Sequence, residues 1–147
     1  MSPIQHHPIP NALSIAGVDP SGGAGLLADL KTFSALGAYG CGVVTALTAQ
    51  NTRAVTGIHE VPPDFLAQQL DTLFDDVRID TVKIGMLASA ELIAVVAAAL
   101  RRYRPRFVVL DLVMVAKSGD RLLRADAVDA LLRDLVPLAT IVTPNLP

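Results

Sequence analysis

The chain has 147 residues and a mass of 15.5 kDa; 52% of the residues are hydrophobic, 18% charged and 4% aromatic, and the net charge is −2. That length suits a single domain with its own core, and the apolar content excludes a disordered chain. Twelve basic against fourteen acidic residues exclude a generally basic nucleic-acid binder, and no apolar run approaches the roughly 18 residues of a membrane span.

The chain opens on three prolines and His6-His7 within its first eleven residues, read as a loose tail with no basic-then-apolar leader. Two adjacent histidines without a third ligand nearby do not make a metal site, and no metal ligand set is expected. Residues 12–16 form a short apolar strand, closed by Gly17-Val18-Asp19-Pro20-Ser21-Gly22-Gly23, a dense run of turn residues. Leu26, Leu30 and Phe33 then recur at helical spacing over residues 24–36. Gly37 and Gly40 bracket a turn into a second apolar run over 43–49, which ends at Gln50-Asn51, and a weaker strand covers 54–59.

Pro62-Pro63-Asp64 reads as a helix start, with Leu66, Leu70, Leu73, Phe74 and Val77 on one face. A third buried strand over 81–85 precedes a helix over 90–103, with Leu92, Val96, Leu100 and Tyr103 along one side. A strand over 107–112, a loop to Asp120, a helix over about 125–135 and a last strand from Thr140 complete the order. Twenty-one alanines, twenty-one leucines and sixteen valines suit parallel strands covered by helices better than an aromatic-rich sandwich. Strands alternating with helices imply an α/β fold with a mainly parallel sheet. No repeat or interdomain linker is visible. A lone Cys41 forms no disulfide within the chain, and a cytoplasmic setting is expected.

In such a sheet, ligands bind beyond the carboxyl ends of the strands. The residues there are the glycine-rich turn, Gln50-Asn51, Gly85-Met86, the loop from Asp111 to Asp120, and Thr143-Pro144-Asn145. Turn chemistry accounts for part of this set. It accounts poorly for Gln50-Asn51, since a tight hairpin favours Asn-Gly.

The glycine turn fails as a nucleoside-triphosphate loop, because Gly23-Ala24 stands where Lys-Ser/Thr is required. Gly23-Ala24-Gly25-Leu26-Leu27-Ala28 does match a dinucleotide fingerprint, but the second strand ends on Gln50-Asn51 where such a site needs an acid. What survives is a turn whose missing side chains let a ligand approach backbone amides at a helix N-terminus.

Asp29 has two readings: an acid of the helix's first turn favoured by its dipole, or a carboxylate aimed into the pocket to orient an amine. Asp111 and Lys117 share one loop, either as a solvated surface pair or as a magnesium-linked carboxylate and a phosphate-neutralising amine. Met86 is either core or an apolar wall for a flat ring.

Taken together, these motifs resemble the hydroxymethylpyrimidine and phosphomethylpyrimidine kinases of thiamine biosynthesis, in the ribokinase-like superfamily. The run from Ala12 to Gly25 is similar to the family's opening signature. ADLKTFSALGAYG at 28–40, TALTAQNT at 45–52, IGML at 84–87, VMVAKSGD at 113–120 and TPNLP at 143–147 resemble its later blocks. Leu112 departs from the proline or threonine common in relatives.

The resemblance implies a three-layer α/β/α domain over residues 12–147, representing roughly half of the family's kinase domain. It implies ATP- and Mg²⁺-dependent phosphorylation of 4-amino-5-hydroxymethyl-2-methylpyrimidine and then of its monophosphate. Gln50 would hydrogen-bond the aminopyrimidine edge, while Gly17, Ala24, Asp29, Met86 and Val113 would line the same pocket. Asp111, Lys117 and Asn145 are weaker matches to the nucleotide and phosphate end.

The family's anion hole, with its activating cysteine, and its nucleotide site have no counterpart within these residues, and the Mg²⁺-linked glutamate of its Asn-x-x-Glu motif falls one position past Pro147. The expectation is therefore a chain that holds a small aminopyrimidine without moving phosphate or binding ATP tightly. The alternative is a non-catalytic binding or interaction module completed by a second polypeptide. Exposed sheet surface would favour self-association or a homodimer.

Overall fold

A computed structural model of the chain describes residues 9–112 and 125–144. The first half runs β1 (Asn11–Val18), α1 (Gly25–Ala35), β2 (Tyr39–Gln50), β3 (Val55–Glu60) and α2 (Pro63–Asp76). The second runs β4 (Thr81–Ile84), α3 (Ala90–Tyr103), β5 (Phe107–Leu112), α4 (Ala125–Ala130) and β6 (Ile141–Pro144). The strands form one sheet in the order β3-β2-β1-β4-β5-β6. All neighbours are parallel except β2 and β3, which pair antiparallel.

Strand alternation divides the side chains between two faces. Leu13, Ile15, Val43, Val82, Ile84, Val108 and Leu110 point to one face and meet Leu66 and Leu70 of α2 and Leu92, Ile93, Val96 and Leu100 of α3 in a single buried cluster. Each such fully buried aliphatic side chain contributes roughly 1.5–3 kcal/mol of transfer free energy. Ser89 caps α3 through its side chain, Glu91 lies in its first turn, and Arg101 and Arg102 lie in its last, a charge order that complements the helix dipole.

The opposite face is built from small residues so that α1 can lie close to it. A β-carbon added at Gly40 would stand 2.8 Å from Leu30 Cδ2, and one at Gly42 would stand 2.9 Å from Leu26 Cδ1. Gly40 therefore belongs to β2 and seats the helix, rather than closing the preceding turn as the sequence suggested. Gly37 alone makes that turn, with φ at +77°. The close seat brings the polar side of α1 down onto β1.

Other boundaries shift by small amounts. Asn11, expected in the tail, is the first residue of β1, where it pairs with Tyr39 and its amide donates to Asp80. The helix expected over 125–135 is α-helical only to Ala130. It widens into a π turn over Leu131–Leu135, in which the Val136 amide reaches back to the Leu131 carbonyl, and ends in a 3₁₀ turn over Val136–Leu138. Pro137, which lacks an N–H, sits in that terminal turn.

Candidate ligand site at the strand ends

Strand order reverses direction at β1: the chain moves outward to β2 and β3, then crosses back to β4 on the other side. In open α/β sheets this switch point opens a crevice at the carboxyl ends of the strands. Gly17 lies at that end of β1, and Gly85-Met86 directly follow β4. The two sides are tied together. Thr45 of β2 donates its hydroxyl to the Met86 carbonyl at 2.8 Å, and a β-carbon at Gly17 would lie 3.3 Å from Met86 Cε. Met86 is core, at 9% exposure, and packs against Gly17.

Three amides of the glycine-rich turn, those that precede α1, are filled from within the chain. The Asp19 carboxylate accepts from the Ser21 amide at 2.8 Å, the Gly23 amide at 3.2 Å and the Ala24 amide at 3.0 Å, and from the Ser21 hydroxyl. Burial pushes the Asp19 carboxyl up, but these donors outweigh it and hold the group below its ordinary range. A ligand could reach those three amides only by displacing a buried aspartate, while α1 itself has no side-chain cap. Ala24 is exposed at the N-cap of α1.

Asp29 lies beyond the first turn of α1, so the dipole reading does not apply. Its Oδ2 accepts from Ser14 Oγ at 2.6 Å and from Lys83 Nζ at 3.0 Å. The carboxylate does orient an amine, but the amine belongs to β4. Lys83 Nζ also stands 3.4 Å from Asp111 Oδ2, so Asp111 has a cation partner other than the one the sequence suggested. Lys117, Val113 and Asn145 lie outside the described residues, as do His6 and His7.

Gln50 ends β2 at a bulge against β3. Thr48 lies within hydrogen-bond distance of both the Val18 carbonyl, at 2.9 Å, and Gln50 Oε1, at 3.2 Å, which ties Gln50 to the end of β1. Asn51 has turn chemistry after all: its Oδ1 accepts from the Arg53 and Ala54 amides, and its own amide donates to the Ala54 carbonyl.

Sequence reasoning missed Lys83 and Ser14. The signal was present, since Lys83 is a charge between buried Val82 and Ile84, and strand alternation sends it to the opposite face, where it needs a partner. Among the described residues, no group of three or more His, Cys, Asp or Glu is placed to hold a metal ion. No helix among them is long and apolar enough to cross a membrane.

The order of strands, the crevice at the switch point and its capped glycine turn define a ribokinase-like α/β kinase fold, and solved structures agree. A phosphomethylpyrimidine kinase from Clostridium difficile 630 superposes with a TM-score of 0.88 at 46% identity, over 94% of this chain and 60% of that one. A pyridoxal kinase from Staphylococcus aureus in complex with AMP-PCP gives 0.83 at 35% identity, over 95% and 51%. Within that class the chain belongs to the phosphomethylpyrimidine kinase family, whose sequence profile matches residues 19–147. The hydroxymethylpyrimidine/phosphomethylpyrimidine kinase of Escherichia coli (strain K12) is 62% identical over 137 residues, which make up 93% of this chain and 52% of the relative. The chain spans about half the length of such curated relatives.

Proposed function

We propose that this chain carries the aminopyrimidine-binding part of a hydroxymethylpyrimidine/phosphomethylpyrimidine kinase of thiamine biosynthesis. The observation that supports the reading is the grouping at the carboxyl ends of β1, β2 and β4, where Gly17, lacking a side chain, lets Met86 close against it while Gln50 stands at the end of β2. A flat heterocycle with an amino group and ring nitrogens needs an apolar wall and a donor–acceptor amide, and Met86 with Gln50 supplies both. By the family resemblance Ala24 and Val113 would line the same pocket, and Asp29 would supply its polar end.

The second substrate in this reading is ATP with Mg²⁺. Asp111 offers hard carboxylate oxygen at the end of β5, the donor type that suits Mg²⁺, and one such group fits a single direct or water-mediated contact. Asp111, Lys117 and Asn145 would face the phosphates. The bound ion would neutralise charge on the transferred group, a reaction that depends mostly on positioning and electrostatics. The 147-residue chain alone binds the pyrimidine and turns over no ATP, because the anion hole and base that the family resemblance implies are not among its residues.

Calorimetric titration of 4-amino-5-hydroxymethyl-2-methylpyrimidine into the chain tests the reading. Saturable binding is expected, weakened about tenfold or more by Gln50→Ala, which leaves polar ligand atoms unpaired. No binding by the unaltered chain overturns it. Steady phosphorylation of the pyrimidine by this chain with Mg²⁺ and ATP overturns the expected inactivity.

A further inference from the structure

Lys83 lies on β4 with Ser14 of β1 beside it in register and Val109 of β5 on its other side. Its side chain is 21% exposed and its ammonium meets two carboxylates on different elements, Asp29 of α1 at 3.0 Å and Asp111 of β5 at 3.4 Å. One positive charge thus serves two negative ones. The space for it is kept by Gly85, where an added β-carbon would stand 3.2 Å from Lys83 Nζ. Both bonds to Asp29 reach its Oδ2. Asp29 belongs to the pyrimidine end of the proposed site and Asp111 to its phosphate end. A single ammonium between them fixes their separation and offsets their mutual repulsion, which is strong at partly buried positions.

We propose that Lys83 is a positioning residue that clamps Asp29 and Asp111 together, so that the pyrimidine end and the phosphate end of the site share one charge-balanced unit. The consequence for ligand binding rests on the function proposed above; the clamp itself does not. An apolar residue of similar length at position 83 leaves two carboxylates facing each other without a cation. Asp29 then swings away from the crevice or loses its fixed rotamer, and affinity falls. Removing the second charge at Asp111 relieves the repulsion and restores Asp29. A purely structural lysine would show no such rescue, because a second substitution would only add to the damage.

Two measurements on the 147-residue chain decide it. Nitrogen-15 spectra report the Lys83 ammonium directly. A slowly exchanging signal is expected that shifts or is lost in both Asp29→Asn and Asp111→Asn, and a fast-exchanging ammonium indifferent to both substitutions overturns the clamp. Titration with the aminopyrimidine covers Lys83→Met, Lys83→Arg and Lys83→Met with Asp111→Asn. Truncating one partner of a partly buried charge pair typically costs enough to weaken binding about tenfold or more in Lys83→Met. Lys83→Arg retains most of the affinity, and the double variant recovers most of the loss. Equal affinity for Lys83→Met and the unaltered chain, or a double variant weaker than Lys83→Met, overturns the clamp's role in binding. If the unaltered chain binds no pyrimidine, the proposed function fails, while the ammonium spectrum still decides the clamp.

Discussion

Gly25 packs its α-carbon against the carbonyl of Gly17, so closely that a β-carbon at Gly25 would stand 2.3 Å from that oxygen. Gly25 also has φ at +58°, and Val18 and Gly25 form a bridge that folds the glycine turn back on the end of β1. The turn is therefore held at three places: by the backbone contact, by the bridge and by the Asp19 carboxylate beneath its amides. This is what aims α1, and with it Asp29, at the sheet.

Gly25→Ala combines a left-handed backbone with a clash against backbone that cannot move aside. The left-handed conformation alone costs roughly 1–2 kcal/mol for an L-residue. The clash adds to that, so a loss above about 2 kcal/mol is expected in urea denaturation. A variant as stable as the parent would mean that the turn rearranges freely.

Gly17→Ala separates binding from folding. Its added methyl meets Met86 Cε at 3.3 Å and the Ala46 carbonyl oxygen at 3.6 Å, and the methionine end can yield. Stability is expected to fall by about 1–3 kcal/mol at most, toward the low end because the methionine yields. Aminopyrimidine affinity should fall, because the methyl takes space in the crevice. Unchanged affinity with an unchanged fold would place the ligand away from β1.

Asp19→Asn turns one of the two oxygens that four donors share into an NH2 donor, which leaves some of those donors without an acceptor. Leaving such donors poorly paired costs about 1–3 kcal/mol. The pH dependence follows from the direction of the shift: the folded carboxyl lies below its ordinary 3.8, so its contribution is full above that value and is lost as pH falls through the folded one. The stability gap between the parent and Asp19→Asn should thus be constant near neutrality and close only on the acid side of 3.8. A gap that closes near pH 6 would rule out Asp19 as its source.

Most of the fold was legible because strand and helix periodicity report burial directly, and Leu13, Val82 and Leu110 are buried as their apolar runs require. Gly40 was misread because glycine in a strand and glycine in a turn look alike until the helix above it is placed. The arrangement at the candidate site was legible only in part. Gln50, Met86 and Gly17 stand at strand ends, where sheet topology alone directs attention. The pairing of Lys83 with Asp29 spans 54 positions of sequence and exists only because α1 seats on β1 beside β4. The capping of the glycine turn by Asp19 was equally hidden, since the motif shows amides and an acid without saying that one fills the other.

Cys41 faces the core from β2 at 8% exposure, and burial pushes its thiol up. Little thiolate is then present at neutral pH, and thiolate is the reactive form. Labelling with a disulfide reagent at pH 7.5 should be slow in the native chain and fast in denaturant, and Cys41→Ala should leave aminopyrimidine affinity unchanged. Fast native labelling would show that β2 opens readily at that point.

Phe107 and Ile141 are 46% and 55% exposed, although both lie in strands. Ile141 pairs in register with Val109, two residues beyond Phe107, so alternation places the two side chains on one face of the sheet, the face that also holds Lys83 and Asp111. Helix α1 packs on β1 and β2, away from this edge. Exposed apolar side chains grouped on a sheet face favour association of copies. Sedimentation of the 147-residue chain is expected to show a mass that rises with concentration, and Phe107→Ser with Ile141→Thr should lower it. Both changes are at exposed positions, so the cost to the core is small. A monomer at every concentration, or association indifferent to the double change, would exclude this face as the contact.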